Sequence, residues 1–429
     1  MTMNGHATKQ TVLMFPWLGH GHISPFLELA KKLSNTNLFN IHLCSTPANL
    51  DSVNKTSRSE CGLSSIRLVE LHLPTLPELP PHLHTTNGLP LHLMPTLKQA
   101  FDMASPEFSK ILKTVKPDLL IYDIIQPWAP VAAAALGVPA VVFITTSVTA
   151  ANNTFHVEIS EDNRKEIERV IKCYTNSTSF ILVKSFKEIE GKYVDYLSDL
   201  TGKRIVPVGP LVVDPVDMKQ NSVIEWLDTK ATWSTVFVSF GSEYFLSSDD
   251  LEEIAHGLEL SNMNFIWVLR FPKGEKEINV LEALPLGFLE RVKNRGLLIE
   301  GWAPQTKILG HKNVGGFVSH CGWSSVMEAM KFGVPIIAMP MQFDQPINAR
   351  LVVEVGVGLE VARDANGRLG RENVAEAVRR VMVSEIGEVV RKKTNRMSVA
   401  LKVKGEEEID VVVEELRQLC KSGASHLIS

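Results

Sequence analysis

The sequence predicts an α/β protein of two consecutive domains, each a doubly wound parallel sheet covered by helices on both faces. Its 429 residues exceed one ordinary core and suit two domains of about 200 residues each. Short β-rich runs alternate with helical patterns in both halves, as in parallel sheets. The alternation stops at "PLVVDPVDMKQNSV" and then restarts, so we predict domains at 1–209 and 224–429 with a linker at 210–223.

The first half contains seven apolar runs of strand length. Predicted strands are Thr11–Phe15, Ile41–Ser45, Ile66–Leu71, Leu119–Tyr122, Ala140–Ile144, Phe180–Val183 and Arg204–Val208. Predicted helices are Pro25–Leu33, Met94–Val115, Trp128–Leu136 and Glu188–Leu200. In the first of these helices the apolar residues recur at i, i+3, i+4 and i+7. Ser24 suits its N-cap and Pro25 its first helical position.

The second half repeats the pattern. Predicted strands are Thr235–Ser239, Asn264–Leu269, Leu297–Glu300, Gly316–Ser319 and Pro335–Ala338. Predicted helices are Ser248–Leu260, Ser325–Phe332, Pro346–Val355 and a charge-rich tail from about Gly387 to Leu419. In such sheets ligands bind beyond the carboxyl ends of the strands, so we expect two facing sheets with the sites in a cleft between the domains.

The composition is that of an ordinary globular protein, with 45% hydrophobic and 21% charged residues. A net charge of −4 gives no basic field for nucleic acid or anionic lipid. Five scattered cysteines without a C-x-x-C pair argue against disulfides or a zinc site. The polar start "MTMNGHATKQ" resembles no signal peptide, and no apolar run approaches the roughly 18 residues of a membrane span. We therefore expect a cytoplasmic chain without stable membrane insertion.

A glycine turn with two histidines, "WLGHGHISP", follows the first strand. It fits the dinucleotide pattern G-x-G-x-x-G only up to the third glycine, where Ser24 stands, and no isolated acidic residue closes the next strand, so a nicotinamide enzyme is disfavoured. A turn leading into a helix N-terminus still suits phosphate, which makes Gly21 a candidate donor-binding residue. A second such turn, at Gly241 and Ser242, is equally compatible with an ordinary strand-to-helix loop.

The stretch from Trp302 to Gln345 is the richest in chemistry. It combines an aromatic residue at a strand end, a helix start at "HCGWSS", Glu328 one turn further, and Asp344 with Gln345 at a third helix start. These provide a stacking surface for a base, donors for a diphosphate, a carboxylate for ribose hydroxyls, and a carboxylate and amide for a sugar. Each residue alone has an ordinary structural explanation, but together they indicate a nucleotide sugar.

This 44-residue stretch resembles the signature of the plant secondary-product glycosyltransferases, which use UDP-sugars (family 1). The motifs "GHISP", "LLIYD", "PWA" and "SFGS" also fall where that family has them. The resemblance implies two facing Rossmann-like domains (GT-B type), with the acceptor bound mainly by the first and the UDP-sugar mainly by the second. It also implies that the last helix packs back on the first domain.

The resemblance carries donor contacts over by motif position. Uracil would be held by Trp302 and Ala303, ribose by Gln305 and Glu328, phosphates by Ser242, His320, Gly322, Ser324 and Ser325, and the sugar by Trp323, Asp344 and Gln345. Thr145, or its neighbour Thr146, would lie near O6 of the sugar or a phosphate. The family usually has asparagine at position 324, so a serine there is a departure. The stretch Ser147–Ser179 is also shorter than expected, which indicates either a more open acceptor pocket or an engineered shortening of this segment.

The same resemblance makes His22, rather than His20, the general base, because the family's catalytic histidine stands three residues before the proline of "HISP". The positive end of the following helix disfavours the imidazolium, which keeps His22 able to accept a proton. Asp123 ends the strand Leu119–Tyr122 and should emerge at the same sheet edge to orient the ring. The alternatives are a turn histidine and a helix-capping aspartate.

The sequence thus predicts an inverting UDP-glucose-dependent O-glucosyltransferase without a cofactor or metal. "ELPPHLHTTNGLP", "SFGSEYF" and "HCGWSSVME" look most like the branch that adds a sugar to a flavonoid or terpenoid glycoside. A transferase acting on the aglycone is the alternative, and a UDP-sugar epimerase, a hydrolase or a non-catalytic binding protein is less favoured. The expected partners are a UDP-sugar and a small acceptor, with no nucleic acid, on a monomeric chain.

Overall fold

A computed structural model of the chain describes residues 9–57, 65–156, 161–215, 221–242, 244–271 and 280–426. It divides into two compact units, one of Met1–Leu211 with Lys404–Ser429 and the other of Val212–Val403. Residues 1–8 of the polar start, residues 216–220 of the predicted linker and Glu243 of "SFGSEYF" lie outside the described residues. Each unit is a parallel α/β sheet with helices on its faces.

The first unit contains a seven-stranded sheet in the order β3-β2-β1-β4-β5-β6-β7. Its strands are β1 Gln10–Phe15, β2 Phe39–Ser45, β3 Ile66–Glu70, β4 Leu119–Tyr122, β5 Ala140–Ile144, β6 Phe180–Val183 and β7 Arg204–Pro207. Its helices are α1 His20–Asn35, α2 Pro47–Ser57, α3 Met94–Met103, α4 Ser105–Val115, α5 Trp128–Ala134, α6 Val148–Asn153, α7 Glu161–Asn176 and α8 Lys187–Thr201. Short 3₁₀ turns cover Pro81–Leu83 and Leu91–Leu93. Helices α6 and α7 occupy the short stretch Ser147–Ser179.

Two helix predictions in this unit are wrong by more than two residues. The first helix begins at His20, with Gly19 as N-cap and no side-chain capping bond, so Ser24 and Pro25 lie inside it. The Gly19 carbonyl accepts from the backbone N–H groups of His22 and Ile23 at 3.0 and 2.9 Å, which starts the helix five residues earlier than predicted. The predicted helix Met94–Val115 is instead two helices that meet at Ala104, just before a Ser-Pro pair.

The second unit contains a six-stranded sheet in the order β10-β9-β8-β11-β12-β13. Its strands are β8 Thr235–Ser239, β9 Asn264–Leu269, β10 Gly296–Glu300, β11 Val314–Ser319, β12 Ile336–Ala338 and β13 Gly358–Glu360. Its helices are α9 Ser222–Asp228, α10 Ser248–Ser261, α11 Val280–Ala283, α12 Phe288–Val292, α13 Gln305–Leu309, α14 Trp323–Phe332, α15 Gln345–Glu354, α16 Arg371–Val383 and the first part of α17 Glu385–His426. The short strand β13 was not predicted, because its three residues, with leucine as the sole apolar side chain, carry no apolar alternation.

The domain bounds in the structure differ from those read along the chain. The units part between Leu211 and Val212, and the segment from Lys404 onward belongs to the first unit rather than the second. There Ile409, Val412 and Leu416 of α17 are buried in the core on one face of the first sheet. The opposite face is covered by a separate core to which α3, α4 and α5 contribute. Within the described residues, no helix is both long and apolar enough to cross a membrane.

Candidate active site

The first constellation lies where β1, β4 and β5 end side by side. Phe15 pairs with Tyr122 in register, so the turn after β1 and the residue after β4 emerge together. The His22 Nδ1 atom lies 2.8 Å from Asp123 Oδ2. Asp123 is fully buried, whereas the His22 side chain is 28% exposed. An aspartate on Nδ1 leaves Nε2 as the ring nitrogen that can accept a proton from a ligand.

Asp123 is held by backbone as well as by the histidine. Its Oδ2 accepts from the Trp17 N–H at 3.1 Å, and its Oδ1 accepts from the Ile124 N–H at 2.7 Å. Next to it, the buried Gln126 side chain donates to the Phe15 carbonyl at 2.6 Å. The carboxylate is therefore oriented both by the turn after β1 and by its own loop. Trp17 and Gln126 were not singled out in the sequence, because backbone donors and loop amides leave no motif.

The neighbouring predicted residues divide by exposure. His20 and Gly21 are exposed in the first turn of α1. Thr145 follows β5 and is buried, and its hydroxyl oxygen lies 3.1 Å from His22 Nδ1. Thr146 is half-buried. The sequence placed Thr145 near the sugar, and the structure places it beside the His–Asp pair.

The second constellation begins at the N-terminus of α14. The first backbone N–H groups of a helix have no partner within it and carry partial positive charge. Gly322 is the N-cap of α14 and provides no side-chain capping bond, so Trp323, Ser324 and Ser325 form its first turn. Ser324 is half-buried and Ser325 is buried. This arrangement suits an anion such as a diphosphate.

His320 lies between this helix start and the Gly241–Ser242 turn. A Cβ atom built on Gly241 would lie 2.7 Å from His320 Nε2, and one built on Gly322 would lie 2.6 Å from it. Gly241 also has φ +80°, so only glycine fits there without strain. Burial lowers the pKa of His320 to about 4, against an opposing effect of the Asp344 charge. The imidazole is therefore neutral near pH 7 and packs against both glycines.

The predicted base and ribose contacts lie at the end of β10 and on α13 and α14. Trp302 is 66% exposed, so its indole is not part of the core and is available to stack. Ala303, next to it, is buried. The Gln305 amide donates to Glu328 Oε2 at 2.6 Å and to Ser325 Oγ at 3.2 Å. These three polar side chains thus form one hydrogen-bonded group between the stacking surface and the helix start.

The predicted sugar contacts lie at the start of α15. Gln345 Oε1 accepts from the backbone N–H groups of Met341 and Gln342, both at 2.9 Å, so the amide NH₂ is the half that can serve a ligand. Asp344 Oδ2 accepts from Asn348 Nδ2 at 3.0 Å. Trp323 is buried, and its backbone N–H belongs to the first turn of α14, where N–H groups have no partner within the helix.

Asn348 is a site residue that the sequence reading missed. Besides Asp344, its Nδ2 donates to the Cys321 carbonyl at 3.0 Å, which ties the start of α15 to that of α14. Asn348 is fully buried. Its position four residues after Asp344, on the same helix face, was the available signal.

Comparisons with known proteins match both units. The family described as UDP-glucoronosyl and UDP-glucosyl transferase matches residues 203–413, and the glycosyltransferase N-terminal domain matches residues 8–213. UDP-glucosyltransferase 29 of Panax ginseng is 51% identical over 98% of this chain and 99% of its own length. The β-D-glucosyl crocetin β-1,6-glucosyltransferase of Gardenia jasminoides is 49% identical over 95% of this chain and 98% of its own.

Solved structures share the whole architecture. Glycyrrhiza uralensis UGT73P12, crystallised with glycyrrhetinic acid 3-O-monoglucuronide, superposes with a TM-score of 0.85 at 26% identity, covering 98% of both chains. That similarity spans both units and confirms the predicted two-domain GT-B architecture.

Proposed function

Since the chain belongs to the UDP-glucoronosyl and UDP-glucosyl transferase family, it is a glycosyltransferase, and we propose that it glucosylates a small-molecule glycoside. In this proposal glucose passes from UDP-glucose to a hydroxyl of a sugar already attached to a flavonoid or terpenoid. The name of the Gardenia relative describes a sugar-extending reaction, and the Glycyrrhiza structure holds a glycoside. Both support an acceptor that carries a sugar, as does the short Ser147–Ser179 stretch.

The contact between His22 and Asp123 carries the proposal. His22 Nε2 takes the proton of the acceptor hydroxyl as its oxygen attacks the anomeric carbon from the face opposite UDP. The bond from that carbon to the diphosphate oxygen breaks in the same step, and UDP leaves with the electron pair. The configuration is inverted and no covalent enzyme intermediate forms. Asp123 fixes the ring and stabilises the imidazolium, as a carboxylate does in a hydrolase triad.

The second constellation would supply the donor site. Trp302 stacks on uracil, and the group of Gln305, Ser325 and Glu328 binds ribose. The N–H groups at the start of α14 bind the diphosphate and stabilise the negative charge that develops on it. With those donors in place, the proposed reaction requires no metal ion.

Glucose as the transferred sugar rests on Gln345 and Asp344. The amide NH₂ of Gln345 and the carboxylate of Asp344 suit equatorial hydroxyls, and in the plant family histidine at position 345 often accompanies galactose. Transfer rates from UDP-glucose, UDP-galactose and UDP-xylose at equal concentration test this. UDP-glucose should be fastest, and faster transfer from UDP-galactose would contradict the assignment.

The acceptor is tested by a product-resolved screen of aglycones against their monoglucosides. Glucosides should be the better substrates, and aglycones turned over tenfold faster would favour the aglycone transferase. UDP release without any acceptor would instead indicate a hydrolase. A non-catalytic binding protein has no use for the His–Asp pair, so binding of UDP-glucose without turnover of any acceptor would support that alternative.

A further inference from the structure

Two ion pairs join α3 to α7 in the first unit. Lys98 Nζ lies 2.7 Å from Glu166 Oε2, and one turn further along α3 Asp102 pairs with Arg169 of α7. The Arg169–Asp102 pair is bidentate, with one guanidinium nitrogen on each carboxylate oxygen. The Arg169 side chain is 17% exposed and that of Asp102 is 37% exposed. Both ion pairs attach α7 to α3, and the Arg169–Asp102 pair also makes hydrogen bonds to a third segment.

Arg169 and Asp102 also reach the segment between β4 and α5. The nitrogen of Arg169 that contacts Asp102 Oδ1 also donates to the Ile125 carbonyl at 2.6 Å. Asp102 Oδ1 accepts a further bond from the Trp128 indole N–H at 2.9 Å. Ile125 lies two residues after Asp123, and Trp128 is the first residue of α5. The Arg169–Asp102 pair thus holds the segment that follows Asp123 at two points, Ile125 in its middle and Trp128 at its end.

The orientation of Asp123 depends on this segment. One of its oxygens accepts from the Ile124 N–H, and the other faces His22. The Trp17 N–H also holds the oxygen that faces His22, but a shift of Ile125 would move the Ile124 N–H and rotate the carboxylate relative to the ring. A displacement of about 1 Å in a catalytic group can lower the rate about 100-fold.

We propose that Arg169 and Asp102 are positioning residues that align Asp123, and through it His22, for proton transfer. The inference rests on the proposed function of His22 as general base. Loss of the pair should therefore lower kcat rather than donor binding, because most of the predicted UDP-sugar contacts, from Ser242 to Gln345, lie on the other unit. The Lys98–Glu166 pair joins the same two helices one turn earlier on α3, and it provides a matched control.

The test compares Arg169→Met with Lys98→Met in the full-length enzyme, using UDP-glucose and a flavonoid monoglucoside. Arg169→Met should lower kcat about 10- to 100-fold and leave the KM for UDP-glucose within about twofold, whereas Lys98→Met should leave both within about twofold. Arg169→Lys should recover part of the loss, because an ammonium group can bond to the Asp102 carboxylate or to the Ile125 carbonyl but cannot replace all the guanidinium contacts. Asp102→Asn, of equal size, replaces Arg169→Met if that variant does not fold. Equal effects of the Arg169 and Lys98 substitutions would overturn the proposal.

A double variant separates positioning from general stabilisation. If Arg169 acts through Asp123, adding Arg169→Met to Asp123→Asn should cost little beyond the loss from Asp123→Asn alone. An additional loss equal to that of the single Arg169 variant would show that Arg169 acts independently of the aspartate. His22→Ala run in parallel tests the premise. If it keeps full activity, the proposed mechanism fails, and if it is inactive while Arg169→Met is normal, only this inference fails.

Discussion

Replacing Asp123 by asparagine is the sharpest test of the dyad, because the substitution keeps the size and removes the charge. Asp123 is fully buried and accepts from three N–H groups, at 2.8 Å from His22, 3.1 Å from Trp17 and 2.7 Å from Ile124. The asparagine amide must turn its NH₂ towards at least one of these N–H groups, so at least one hydrogen bond is lost. The remaining hydrogen bonds then have a neutral acceptor in place of a charged one. A hydrogen bond to a charged group contributes about 1.5–3 kcal/mol.

That range corresponds to a fall of about 10- to 150-fold in kcat for Asp123→Asn. His22→Ala removes the base itself and should cost about 10² to 10⁴. His20→Ala should stay within about tenfold, because His20 is exposed in the first turn of α1 and His22 is the histidine that contacts Asp123. UDP affinity, measured by calorimetry, should be unchanged in all three variants. A reversal of the two histidine results would mean that this turn has been misinterpreted.

Asp118 offers a control on the same strand. It stands just before β4, as Asp123 stands just after it, and its Oδ2 accepts from the Thr11 N–H at 2.7 Å. Asp118→Asn should lower stability without lowering kcat, since it lies at the opposite end of the strand. Initial rates of UDP release at saturating substrates measure the difference. Equal rates for the two asparagine variants would refute the catalytic role of Asp123.

Three further predictions concern the second unit. Trp302→Ala should raise the KM for UDP-glucose by the equivalent of about 1–3 kcal/mol through lost base stacking and leave acceptor KM unchanged; an unaltered donor KM would exclude stacking. Ser324→Asn should keep or mildly improve binding of UDP-glucose, because the asparagine amide is a hydrogen-bond donor that reaches further from the first turn of α14. A collapse in activity would show that the pocket is packed around the serine hydroxyl. His320 has its pKa lowered by burial from 6.5 to about 4, so the unfolded chain binds the extra proton first as pH falls. The contribution of His320 to the free energy of unfolding should therefore fall by about 3 kcal/mol from pH 6.5 to pH 4. His320→Gln should reduce the pH dependence of unfolding in denaturant titrations by that amount, whereas equal slopes for the two proteins would contradict it.

The sequence by itself determined the architecture and the residues at the strand ends. Apolar runs bounded by turn residues fix where strands lie, so β4 Leu119–Tyr122, β5 Ala140–Ile144, β6 Phe180–Val183, β8 Thr235–Ser239 and β9 Asn264–Leu269 have the predicted bounds. In a parallel sheet the residue after each strand emerges at one edge. The predicted end of β4 was therefore enough to predict that Asp123 lies near the turn after β1.

Only the tertiary structure decided where the first helix begins and which distant polar side chains contact each other. Pro25 predicts a helix start, yet the Gly19 carbonyl captures two N–H groups and starts the helix earlier. The hydroxyl of Thr145 lies beside His22, 123 positions away, and Arg169 reaches Asp102 and Ile125 across 67 and 44 positions. Such pairings have no periodicity along the chain, because packing of separate helices creates them. Only the folded chain shows which polar side chain orients which.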